Sequence, residues 1–144
     1  MIGLIAICAV AAGCGSDNGG SGTPTAPSAN VPFSTTDLRL GTGTEATNGR
    51  NVAVNYTGWL YSTTAADNKG TRFDSSLDPG RTPLVFRVGV DNLIQGFHQG
   101  VTGMRVGGLR RVVIPPNLGY GATGNQSIPG NATLLFEIEL IAVE

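Results

Sequence analysis

Apolar and polar residues alternate with a period of two along most of the chain beyond residue 33, the signature of strands with one buried face. In Val52-Ala53-Val54-Asn55-Tyr56-Thr57-Gly58, Val52, Val54 and Tyr56 share a face. In the last run, 134–143, Phe136, Ile138, Leu140 and Ala142 share one face, and Glu137 and Glu139 the other. Shorter strands are predicted at 37–40, 84–88 and 109–114. Residues 59–71 are polar and read as an excursion between strands. Phe73 and Asp74 follow, then Ser75 and Ser76 as turn residues and a turn at Pro79-Gly80. One segment breaks the pattern: Ile94, Phe97 and Val101 recur at helical spacing. A short helix is predicted over 92–100, capped by Asp91 or Asn92 and ended by Gly100. It cannot bury its stripe alone, so it is expected across the concave face of the sheet. The predicted fold class is α+β, an antiparallel sheet of about five strands wrapped around one short amphipathic helix.

Residues 115–136 read mostly as loop. Gly119, Gly121, Gly124 and Gly130 free the backbone, and Pro115, Pro116 and Pro129 remove donors. Loops of this kind run over a surface and carry function. Tyr120 and Ile128 stand within it, and a strand then presents Phe136. An apolar ring and branch on a loop beside a buried aromatic point to a greasy recess with a polar handle.

The 144 residues are enough for one ordinary domain. Residues 1–13 are apolar or small and precede Cys14. The run is too short to span a membrane and has the length of a signal-peptide apolar core. Ala11-Ala12-Gly13-Cys14 resembles the lipobox of bacterial lipoproteins, with Ala at position 11 where a larger aliphatic residue is usual. The expected organisation is a signal peptide at 1–13, a lipidated Cys14 opening a flexible Gly/Ser/Pro/Thr linker to residue 33, and a folded domain at 34–144. The implied location is the periplasmic or cell-surface side of a bacterial membrane. Cys8 and Cys14 are the only cysteines, so the domain is expected to stand without a disulfide.

Charged residues make up 13% of the chain, net charge is −1, and Lys69 is the only lysine. Nucleic-acid binding, which needs clustered basic residues, is not indicated. One of the adjacent pair Arg110-Arg111 is expected to point to solvent. Gly119, Gly121 and Gly124 match a dinucleotide fingerprint, but no parallel strand–helix unit surrounds them. Asp74, Ser75 and His98 supply the residue types of a hydrolase, but no nucleophile elbow is present, and His98 is expected on the wet side of the helix. One histidine offers no metal cluster, and no cofactor is expected. What remains is an apolar set, Tyr56, Phe73, Phe86, Leu93, Ile94, Phe97, Tyr120, Ile128 and Phe136, with Asp74 among them. A carboxylate there needs a partner, and Tyr56 is a plausible donor.

Five ordered motifs carry a resemblance: Val54-Asn55-Tyr56-Thr57-Gly58, Phe73-Asp74-Ser75-Ser76, Ile94-Gln95-Gly96-Phe97, Gly119-Tyr120-Gly121-Ala122-Thr123-Gly124 and the run from Ile128 to Phe136. Together they resemble the FKBP-type peptidyl-prolyl cis–trans isomerases. The resemblance implies a pocket that binds proline and, in many members, macrolides such as rapamycin. It makes Asp74, Tyr120, Phe73 and Phe136 the catalytic set, and Tyr56, Phe86, Leu93, Ile94, Phe97 and Ile128 the substrate-binding set. Tyr120 and the Ile128 amide are expected to donate to a substrate carbonyl. Phe97 stands where many members have Trp, Leu84 where an aromatic is common, and Asn125 where some have His. The implied partners are proline-containing unfolded or nascent exported polypeptides, for a monomeric enzyme held to a membrane by its lipid. A non-catalytic chaperone or adaptor that grips the same segments is the competing reading.

Overall fold

In the computed structural model, residues 31–144 are described. The signal, Cys14 and most of the linker expected from the sequence lie outside them. Six strands and one short α-helix are present among the described residues: β1 (Ser34–Arg39), β2 (Asn51–Tyr61), β3 (Lys69–Ser75), β4 (Leu84–Arg87), α1 (Gln95–Val101), β5 (Leu109–Ile114) and β6 (Leu134–Val143). Every pairing is antiparallel, in the order β1-β5-β6-β2-β3, and β4 also pairs with β2.

The alternating runs became strands with the faces their patterns predicted. Val52, Val54 and Tyr56 of β2 and Phe136, Ile138 and Leu140 of β6 are all buried. They pack with Phe97 and Val101 of α1 and with Val112 and Ile114 of β5 in one core. Full burial of such side chains contributes about 1.5–3 kcal/mol each.

β3 is the strand that the polar pattern concealed. It sits at a sheet end and pairs with β2 through Thr57↔Ser75, Gly58↔Asp74, Trp59↔Arg72 and Tyr61↔Lys69. Backbone pairing needs no apolar side chain, so an edge strand can be polar on both faces. Ser75 and Ser76 are therefore buried partners of β2 rather than free turn residues. The Ser76 hydroxyl accepts from the Tyr56 amide at 2.9 Å, and the Ser75 hydroxyl donates to the Tyr56 carbonyl at 3.2 Å.

The helix is shorter than predicted and begins three residues later. Ile94 occupies the N-cap with no side-chain cap, and neither Asp91 nor Asn92 serves as one. Asp91 instead closes the preceding turn, its carboxylate accepting from the Arg87 amide at 2.9 Å. Gly100 lies inside the helix, where it lets β5 approach: a Cβ there would come within 2.8 Å of Val112. His98 is buried, not wet, with hydrogen bonds at both ring nitrogens.

Neither member of the arginine pair points freely to solvent. Arg110 donates to Asp37 at 2.6 Å and to the Gly100 and Thr102 carbonyls, satisfying acceptors that the helix end leaves open. Arg111 pairs with Glu137 at 3.1 Å.

Candidate functional site

The concave side of the sheet and the start of α1 enclose a cavity of about 460 Å³. β2 supplies Tyr56, β3 supplies Phe73 and Asp74, and β6 supplies Phe136. Leu93 and Ile94 line it from the approach to the helix, and Phe97 from the helix itself. Tyr120 enters from the long loop, two residues beyond a 3-10 turn at Pro116–Leu118.

The aromatic walls are interlocked. Phe136 meets Phe73 edge-on with ring centroids 5.5 Å apart, and Phe97 edge-on at 5.4 Å. Tyr56 meets Phe97 edge-on at 5.7 Å. Such pairs are favoured by ring quadrupoles, at about 0.5–1.5 kcal/mol each beyond burial. Gly58 makes the packing possible. It lies opposite Phe136 on one side and Asp74 on the other. A Cβ there would stand 2.6 Å from the Phe73 ring and 2.7 Å from the Phe136 ring.

Asp74 is the polar group of the wall. The Tyr56 hydroxyl donates to its Oδ2 at 2.5 Å, and Arg81 approaches its Oδ1 at 3.3 Å. Arg81 also donates to the Tyr56 hydroxyl at 3.5 Å. Burial pushes the Tyr56 phenol up to about 12, the Asp74 hydrogen bond and charge add to this, and Arg81 pulls the other way. Burial, and then Asp74, also raise Tyr120. Both phenols therefore keep their protons at neutral pH and stand as donors.

Eight of the ten predicted site residues come together around this cavity. Phe86 and Ile128 do not line it. Phe86 is buried behind Phe97, ring centroids 5.6 Å apart, and supports the floor from below. Ile128 is 2% exposed and belongs to the core. Its amide is not an open donor, because it already donates to Asn125 Oδ1 at 2.9 Å, while the Asn125 amide donates back to the Ile128 carbonyl at 2.8 Å. Asn125 thus closes the loop on itself.

The cavity also takes in Leu84, Asn92, Gln95 and Gly119, which sequence reasoning gave no part in the wall. Arg81 had no recognisable signal as a site residue, and Gly58, though it ends the first motif, was given no role. Arg81 reaches Asp74 across a turn whose path no spacing rule predicts, and the two rings that crowd Gly58 come from different strands. Among the described residues, no group of three or more His, Cys, Asp or Glu could hold a metal ion.

Comparison with known proteins accords with this geometry. Residues 42–141 match the family described as FKBP-type peptidyl-prolyl cis-trans isomerase. A protein of Neisseria meningitidis serogroup A named FK506-binding protein is 47% identical over 108 residues, covering 74% of this chain and 92% of that one. The crystal structure of FkpA from Escherichia coli superposes with a TM-score of 0.67 at 35% identity, over 81% of this chain and half of the larger FkpA chain. That of a peptidyl-prolyl cis-trans isomerase from Pseudomonas syringae gives 0.64 at 36% identity, over 78% of this chain and 75% of that one. With its sheet, helix and aromatic-walled cavity, the chain belongs to the FKBP-type peptidyl-prolyl cis–trans isomerase family.

Proposed function

We propose that the protein catalyses cis–trans isomerisation of Xaa-Pro bonds in exported polypeptides, within the cavity between Tyr56, Phe97, Tyr120 and Phe136. The observation that carries this reading is the Tyr56–Asp74 pair set beside the interlocked rings of Phe73, Phe97 and Phe136. The reaction makes and breaks no covalent bond. Its barrier of about 18–20 kcal/mol is the loss of amide resonance at the twisted state. The planar amide is the more polar form and is better solvated by water, so a recess whose aromatic rings displace that water would raise it relative to the twisted form. Phe73, Phe97 and Phe136 supply those rings. A cavity that holds proline in a turn also binds the twisted form better than either planar isomer, which is what lowers a barrier.

Tyr120, protonated and 37% exposed at the rim, is placed to donate to a substrate carbonyl. Asp74 orients Tyr56 and sets a fixed negative charge beside the carbonyl carbon–nitrogen dipole as it turns. Leu93 and Ile94 hold the proline ring against Phe97. The same recess offers a macrolide of the rapamycin class an apolar seat, and such a ligand competes with the peptide.

The proposal extends to location. Cys14, following Ala11-Ala12-Gly13, would carry the lipid that holds the domain outside a bacterial membrane. Cys14→Ala is expected to move the protein from the membrane to the soluble fraction without changing its isomerase rate.

A protease-free isomerisation assay on an Xaa-Pro peptide, with and without rapamycin, tests the activity. Catalysis that the macrolide blocks is expected. Peptide binding without turnover would replace the enzyme with a non-catalytic proline-binding chaperone or adaptor.

A further inference from the structure

His98 is the only histidine in the chain, and the reaction has no direct use for it. It does not line the cavity, yet it is only 7% exposed. Both ring nitrogens are engaged by the turn that leads into the cavity wall. The Gly89 amide donates to Nδ1 at 2.9 Å, so Nδ1 accepts. The Asp91 carbonyl lies 2.9 Å from Nε2, and a carbonyl can only accept, so Nε2 carries the proton. The network therefore assigns one neutral tautomer.

The Asp91 carbonyl is shared. It also accepts from the Leu93 amide at 2.8 Å. Leu93 and Ile94 follow directly and line the cavity, and the Ile94 carbonyl receives the Phe97 amide at 3.0 Å as the helix opens. The His98 ring also packs on Phe86, centroids 5.6 Å apart, and Phe86 packs on Phe97.

We propose that neutral His98 is a positioning residue for the cavity: its ring clamps the turn from Gly89 to Asp91 and so sets where Leu93 and Ile94 stand. The proposal rests on the isomerase reading for its activity consequence, but not for its structural one. A second ring proton would place an N–H against the Gly89 N–H, leaving a buried donor without an acceptor. The charged residues on the segments packed against the ring are Asp91 and Arg87 of the turn, together with Arg50, whose carbonyl accepts from Val88. Asp91 already spends its carboxylate on the Arg87 amide. Helix α1 carries no Asp, Glu, Lys or Arg. Adding that second ring proton would therefore release the clamp, because Nδ1 could no longer accept from the Gly89 amide.

The test uses the full chain. The single imidazole resonance is followed against pH by NMR, together with the methyl resonances of Leu93 and Ile94, and kcat/KM is measured over the same range. Both methyls are expected to move with the imidazole midpoint, and kcat/KM to fall roughly tenfold, the equivalent of one orphaned buried donor, while circular dichroism stays native. His98→Gln, whose amide offers one acceptor and one donor, should keep kcat/KM and remove its acid limb. His98→Leu should show displaced Leu93 and Ile94 methyls at neutral pH.

Methyls that ignore ring protonation would overturn the proposal, as would an acid loss of activity seen only with global unfolding or kept in His98→Gln. If His98→Leu fails to fold, the parent titration and His98→Gln decide the matter. If no variant and no parent isomerises, the isomerase reading fails while the methyl shifts still decide the clamp.

Discussion

The Tyr56 hydroxyl donates to Asp74 Oδ2 at 2.5 Å, across two neighbouring strands whose facing residues are Gly58 and Asp74. The carboxylate is thereby fixed at the edge of an aromatic recess rather than left to solvent. Asp74→Asn keeps the shape and removes the charge. A hydrogen bond to a charged group contributes about 1.5–3 kcal/mol, so kcat/KM is expected to fall by about tenfold or more. Urea unfolding should show a domain that remains folded. An unchanged kcat/KM would remove Asp74 from the catalytic set.

The same pair has an alkaline signature. The folded pKa of Tyr56, about 12, lies above the ordinary phenol value of 10.0. The neutral phenol thus contributes stability that is fully present below pH 10 and is lost as pH rises toward 12. Phenolate absorbance should show a late-titrating tyrosine that disappears in Tyr56→Phe. An unchanged titration in that variant would show that the raised phenol is not Tyr56.

Gly58→Ala tests the packing of the wall without touching a polar group. The added methyl would press on both the Phe73 and Phe136 rings. Overpacking of this kind costs about 1–3 kcal/mol. Both the unfolding midpoint and kcat/KM should drop, and the edge-on contact of Phe73 with Phe136 should be lost in a crystal structure. A variant with parent stability and rate would show that the rings yield freely.

Phe97→Ala separates core from floor. The ring is 4% exposed and touches Tyr56, Phe86 and Phe136. Its removal should cost about 3–5 kcal/mol in urea unfolding, whereas Leu84→Ala, at the partly buried rim of the same cavity, should cost far less. Equal losses would place Phe97 outside the core.

Acid stability should depend on the outer face of the sheet. Burial pushes the Glu137 carboxyl up, but its hydrogen bonds and ion pairs with Lys69 and Arg111 outweigh this and hold it below the ordinary glutamate value. Its contribution is present above the unfolded pKa and is lost as pH falls through the folded one. Glu137→Gln should lose stability at neutral pH and show a shallower decline below about pH 4.5 in thermal melts. A decline as steep as the parent's would assign acid sensitivity to another carboxylate.

What the sequence determined by itself is the set of elements that bury an apolar face. Val52-Val54-Tyr56, Phe136-Ile138-Leu140 and Ile94-Phe97-Val101 announce strand, strand and helix, because water excludes those faces wherever the chain goes. The order of five motifs was enough to indicate the family and most of the cavity wall. Tertiary structure alone decided the rest. β3 exists because β2 offers it a backbone edge, and backbone pairing leaves no mark in side-chain pattern. Ile128 sits in the core and Phe86 behind the floor because a loop's path and a ring's neighbours depend on the other strands. Polar side chains showed the same dependence. His98, Ser75 and Ser76 read as surface or turn residues, yet they are held inward by backbone groups of the Gly89–Asp91 turn and of Tyr56 within β2, and Arg110 is held by carbonyls at the end of α1. Those groups come together only once the sheet has closed around α1.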